Sequence, residues 1–187
     1  MSSSITRYDA LPPMSADDLP SAASILKRLV DGLAFRYRWA SDGLSRDDLA
    51  FTPCDGSMSL GELLDHLRYL ARWLQVNVSA GLRGDAPVTY PECCAELPDP
   101  AGDPELLREQ SLSAWGALSD ELSGASAEDL QRVVLVGGKE PTSFPFWNAL
   151  NGPLADALTH VGQLNSWRRQ LGRPAPKPDV FRGRPPR

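Results

Sequence analysis

The sequence predicts an all-α protein built as a four-helix bundle, and three observations carry that expectation. Apolar residues recur at helical spacing in four separate stretches. Capping and stop residues bracket most of those stretches. Strand-like alternation is nearly absent outside one short region between the third and fourth stretches.

The chain has 187 residues, 42% of them hydrophobic and 23% charged. That suits a single domain with a full core, needing no disulfide or metal staple. Any metal in such a chain is therefore expected to serve chemistry rather than folding.

The first helical stretch runs from about Ser21 to Asp42. Ile25, Leu26, Leu29, Leu33, Tyr37 and Ala40 form its apolar stripe, and Gly43 follows as a stop. The second runs from about Leu60 to Ala80, with Ser59 and Glu62 as a capping box. Its stripe is Leu60, Leu63, Leu67, Leu70, Leu74 and Val78, and Gly81 is its expected end. The third opens at Asp103-Pro104-Glu105, a capping aspartate before a proline at the first helical position. Leu107, Ala114, Trp115, Leu118 and Leu122 continue it, and Gly124 closes it. The fourth ends near Leu171-Gly172, with core positions Leu150, Leu154, Ala157, Val161, Leu164 and Leu171. Asn151-Gly152-Pro153 either begins this helix or kinks one that starts near Pro145.

Between the second and third helices lies a proline-rich loop, Ala86 to Gly102, long enough for a crossover. Between the third and fourth, Arg132–Val136 and Thr142–Phe144 flank Gly137-Gly138-Lys139, the pattern of a short hairpin. Gly137-Gly138-Lys139 lacks the spacing of a phosphate-binding loop and reads as its turn. The chain thus divides into an N-terminal extension (1–20), the bundle (21–174) and a basic, proline-rich tail (175–187).

The net charge of −5 is unevenly spread. From Arg168 onward there are seven basic residues and one acid, leaving a body of net −11. An acidic body argues against nucleic acid as a partner. The tail is expected to be a solvated end. Met1 to Ile5 is polar and lacks a signal-peptide pattern. No apolar run reaches the ~18 residues of a membrane span. Cys54, Cys93 and Cys94 make no disulfide framework, so a cytoplasmic location is expected. The vicinal Cys93-Cys94 pair reads as an incidental, partly buried pair in the loop.

The chain has only two histidines, on different helices. On a helical wheel at ~100° per residue, His66 lies at the edge of the stripe formed by Leu63, Leu70 and Leu74. On the fourth helix Asp156, His160, Gln163 and Trp167 share one stripe bordering the core. Asp156 and His160 are i, i+4 neighbours, close enough to converge on one ion. Adding His66 from a facing helix gives two imidazoles and one carboxylate, a set that suits Zn, Ni, Fe or Mn. Three protein ligands leave open positions for water or substrate. The same spacing also fits a plain hydrogen-bonded polar seam, with Asp156 capping a late-starting helix.

Longer segments carry a resemblance. Ser57-Met-Ser-Leu-Gly-Glu-Leu-Leu-Asp-His66-Leu resembles the second helix of DinB-like (DinB/YfiT-type) proteins. The run from Trp147 through Asp156, His160, Gln163 and Arg168-Arg169 to Gly172-Arg-Pro174 resembles their fourth helix. Arg36-Tyr-Arg-Trp-Ala40 with Asp42-Gly43-Leu44 is similar to the end of their first. The resemblance spans about Ser21 to Pro174.

It implies a four-helix bundle with a left-handed crossover, many members being homodimers. It also implies a metal site with one histidine from the second helix and an H-x-x-x-H pair from the fourth. His66 and His160 match that pattern, while Asp156 replaces the first histidine of the pair. The replacement either keeps a metal-capable ligand or marks a lost site. The activity implied is that of a metal-dependent enzyme, a thiol-dependent transferase or hydrolase acting on a small molecule with a low-molecular-weight thiol. The alternative is a metal-free binding or dimerisation module. Neither nucleic acid nor a membrane is expected as partner.

Gln163, Trp73, Trp167 and Arg36 are candidate substrate contacts. Arg38 shares the Arg36 reading, and both also read as surface residues with packed stems. Glu62 could orient His66, but its place in the capping box favours the local role.

Overall fold

The computed structural model describes residues 5–13, 20–86, 88–95, 97–136, 142–150 and 152–187. Its long helices begin close to where the sequence places their starts. Helix α1 (Ala22–Ala40) starts at Ser21, whose hydroxyl accepts from the Ser24 amide while Ser24 returns the bond. Helix α2 (Leu60–Arg83) starts at Ser59, paired with Glu62 in the expected capping box. A short helix α3 (Tyr90–Ala95) interrupts the proline-rich loop, where periodicity gave no sign of one. Helix α4 (Pro104–Leu122) starts at Asp103, whose carboxylate accepts from the Glu105 amide. Helix α5 (Pro153–Gln170) starts with proline at its first position. A separate 3-10 turn, Phe146–Leu150, precedes it. Gly152-Pro153 is therefore a true start and not a kink.

One expected stop moves. Helix α2 runs past Gly81 and ends at Gly84, which takes the left-handed conformation at φ +77°. Arg132 donates to the Gly81 and Leu82 carbonyls at 2.9 and 2.7 Å, which satisfies the ends of the added turn. Helix α4 ends where expected, with Ser123 as its cap immediately before Gly124, although Gly124 is not left-handed.

Helix α1 packs on α4 and α5, and α2 packs on the same two. The sequence neighbours α1 and α2 are thus diagonal in the bundle, as are α4 and α5. The diagonal connections are residues 41–59 and 123–152, whereas the proline-rich loop joins adjacent helices. The expected hairpin forms: β1 (Val133–Val136) pairs antiparallel with β2 (Thr142–Pro145), Val134 opposite Phe144. The Gly137-Gly138-Lys139 turn lies outside the described residues.

The core gathers Leu33, Phe35, Leu63, Leu64, Leu67, Trp115, Leu118 and Leu164, among others. One stripe assignment fails. Ile25 and Leu29 are 50% and 40% exposed, and Leu26, Val30 and Ala34 take the inward face of α1. The Leu150 side chain lies outside the described residues.

Both chain ends wrap the bundle. Tyr8 is buried and donates to Asp31, and Arg7 forms a two-bond ion pair with Asp120. The tail closes an Asp179–Arg184 bridge, and Gly183 accepts from the Leu11 amide at 2.8 Å. At φ +62°, Gly183 passes so near Leu11 that an added Cβ would fall 2.5 Å from the Leu11 Cβ. The tail is therefore a clasp on the N-terminal segment rather than a solvated end.

Candidate metal centre

His66 sits two turns into α2, in phase with the capping box at Ser59. Asp156 lies in the first turn of α5, and His160 follows one turn later. Because α2 packs on α5, the three side chains meet. His66 Nε2 is 3.3 Å from Asp156 Oδ2, and His160 Nε2 is 3.4 Å from Asp156 Oδ1. The two rings are edge to face, with centroids 4.7 Å apart and planes at 86°. One donor atom from each residue lies within 4.8 Å of the others.

Asp156 does not cap α5. The cap position is Gly152, and the carboxylate instead addresses the two imidazoles. Its place near the positive end of the helix dipole favours a negative charge there. The set is graded in exposure: the His160 side chain is 13% exposed, His66 33% and Asp156 49%. It is anchored in the bundle wall and open to solvent on the carboxylate side.

These residues fit a divalent ion. Ligands ~2.0–2.1 Å from a tetrahedral centre stand ~3.3–3.4 Å apart; here the histidines reach separate Asp156 oxygens at 3.3 and 3.4 Å, and one donor atom from each residue lies within 4.8 Å of the others, so a small closing of the set would seat an ion. Two nitrogens and an oxygen suit zinc and other first-row metals.

Of the four candidate substrate contacts, Gln163 is the one whose side chain meets the triad. Its Oε1 lies 2.7 Å from His160 Nδ1. The i, i+3 spacing signals this neighbour in the sequence, yet periodicity does not reveal which atom it would address. Arg36 turns back on its own helix and donates to the Gly32 carbonyl. Trp73 is buried, and Trp167 is half-buried against the core. Arg38 pairs with Asp9 and Asp42. Glu62 is held in its capping box, where bonds from the Ser59 amide and hydroxyl keep its carboxyl below the usual range. Cys93 is buried in the core, and the Cys94 side chain lies outside the described residues.

Among solved structures, the mycothiol-dependent maleylpyruvate isomerase superposes with a TM-score of 0.61 at 16% identity. The match covers 81% of this chain but only 63% of the isomerase, so the isomerase is substantially longer. YfiT from Bacillus subtilis, a probable metal-dependent hydrolase with an unusual four-helix bundle topology, superposes with a TM-score of 0.60 at 13% identity. That match covers 87% of this chain and 94% of YfiT. At these identities the likeness establishes the fold. No curated protein matches the chain in sequence. Residues 34–164, which contain His66, Asp156, His160 and Gln163, match the model of the DinB superfamily, and the chain belongs to that superfamily.

Proposed function

We propose that this protein is a divalent-metal-dependent enzyme in which His66, Asp156 and His160 hold the ion. The observation that carries the reading is the meeting of both Nε2 atoms with one carboxylate, at 3.3 and 3.4 Å, across two helices remote in sequence.

A bound divalent ion would act as a Lewis acid toward a water or thiol at an open position. The chain's own residues fix the ring orientations, balance the ion's charge through Asp156 and leave the carboxylate side accessible. Gln163 is the proposed substrate-side contact that lies at the triad; Trp73, Trp167 and Arg36 are proposed to act by packing behind it. The reaction class is a thiol-dependent transfer or a hydrolysis of a small molecule. The mycothiol dependence of one structural neighbour and the hydrolase description of the other support that choice.

Neither nucleic acid nor a membrane is proposed as partner. Among the described residues no helix is long and apolar enough to cross a membrane. The exposed Ile25 and Leu29 on one face of α1 support a homodimer.

The test is elemental analysis of untagged protein beside His160→Ala. The expected result is about one zinc-, nickel-, iron- or manganese-class ion per chain, absent from the variant, which still melts cooperatively. Adding the ion should raise the melting temperature of the wild type alone, since it binds the native state. Full metal content in His160→Ala would overturn the ligand set. No metal and no uptake in the wild type would favour a metal-free binding module.

A further inference from the structure

We propose that Gln163 is the positioning residue of this centre, holding His160 as the Nδ1–H tautomer so that Nε2 presents its lone pair toward Asp156. The inference rests on the metal reading for its consequence, though not for its geometry. A side-chain amide oxygen is purely an acceptor. With Gln163 Oε1 at 2.7 Å, His160 Nδ1 must carry the proton. In a neutral ring the lone pair then sits on Nε2, which faces Asp156 Oδ1 at 3.4 Å.

An ionised carboxylate is likewise acceptor-only. With the ring neutral and the carboxylate ionised, two acceptors face each other across 3.4 Å, an arrangement relieved by a cation between them or by a second proton on the imidazole. In a neutral ring, an Nε2–H donated to Asp156 would leave Nδ1 without its proton, and two lone pairs would meet at the much shorter Gln163 contact; an imidazolium would donate to both partners at once.

The choice of glutamine has a chemical reason. A neutral amide fixes the tautomer and the ring plane without adding a second negative charge to the site. Outer partners of this kind orient metal-binding histidines, and their loss typically costs ~10–100-fold in affinity. Gln163 is exposed and lies on the outer face of α5, so its replacement should leave the core intact.

The test has two arms. In metal-free protein, the side-chain nitrogen NMR signals of His160 report the tautomer, with His66→Ala providing the assignment. Measured above the histidine titration range, the wild type should be predominantly Nδ1–H. Gln163→Leu should shift toward a mixture, and Gln163→Glu should restore the Nδ1–H form. In the second arm, zinc titration should give ~10–100-fold weaker binding for Gln163→Leu, recovered to within ~10-fold by Gln163→Glu.

An Nε2–H tautomer in the wild type, or an unchanged tautomer in Gln163→Leu, would overturn the role of Gln163. So would equal zinc affinity of wild type and Gln163→Leu, and in that case the metal reading would stand. A wild type that takes up no zinc would remove the metal reading, while the tautomer arm would still decide what Gln163 does.

Discussion

Arg168, in the last turn of α5, gives a quantitative test of how the bundle end that anchors this helix is held. The residue is only 4% exposed. Its Nη1 donates to the Ala40 and Asp42 carbonyls at 2.7 Å each, and its Nε donates to the Arg173 carbonyl at 2.9 Å. These bonds tie the open C-terminal carbonyls of α1 to the end of α5. Burial pushes the guanidinium below its ordinary pKa, so part of its interaction energy already offsets desolvation. In Arg168→Met that cost disappears, but three carbonyls lose a charged donor. Ala40 is 2% exposed, so its carbonyl would stay unsolvated, at ~1–3 kcal/mol. Asp42 is half-buried and Arg173 exposed, so water can partly replace the other two bonds, at ~0.5–1 kcal/mol each. The net loss should be ~3 kcal/mol, or roughly 6–12 °C in Tm for a domain of this size. Urea unfolding followed by far-UV circular dichroism measures it, with the m-value unchanged. A loss below ~1 kcal/mol would refute the reasoning, because it would mean that the Ala40 carbonyl finds water when the arginine leaves.

Three further outcomes follow from local features. Burial pushes the Asp48 carboxyl up, but bonds from the Ser45 amide and hydroxyl and from Arg173 outweigh it and hold the pKa below its ordinary value. Because the folded pKa is depressed, its stabilisation is present above the usual carboxylate range and is lost as pH falls through the folded value. The stability gap between wild type and Asp48→Asn should therefore be full at neutral pH and shrink below ~pH 4, as read by urea unfolding across pH. Gly84→Ala should destabilise by ~1 kcal/mol in thermal melts. The φ of +77° is unfavourable for alanine, and the added Cβ meets nothing closer than Arg132 at 3.9 Å. Ser119→Ala should cost ~1–2 kcal/mol by chemical denaturation, because the buried Asp31 carboxylate loses a 2.7 Å bond and keeps Lys27 and a longer one from Tyr8.

The comparison between the sequence and the folded chain separates local from distant causes. Caps at Ser59 and Asp103 are legible because the groups they satisfy lie within three residues. The shared face of Asp156, His160 and Gln163 is legible because helix geometry alone places them there. By contrast, Ile25 and Leu29 are as apolar as Leu26 and Val30. Only the positions of α4 and α5 decide which of them turns inward. Helix α2 outruns Gly81 because Arg132, some fifty residues later, binds its last carbonyls.

What the sequence determines by itself is therefore the set of long helices, most of their starts, and a list of ligand-type side chains on two of them. What tertiary structure alone decides is which helices become neighbours. The diagonal placement of α1 and α2 sets α2 against α5, and only that contact brings His66 to the Asp156–His160 pair. Tertiary structure also lays the basic tail on the N-terminal segment through Leu11 and Gly183. The physical reason is range: periodicity and capping act over three or four residues, whereas the centre is closed by a 3.3 Å contact between positions 90 residues apart.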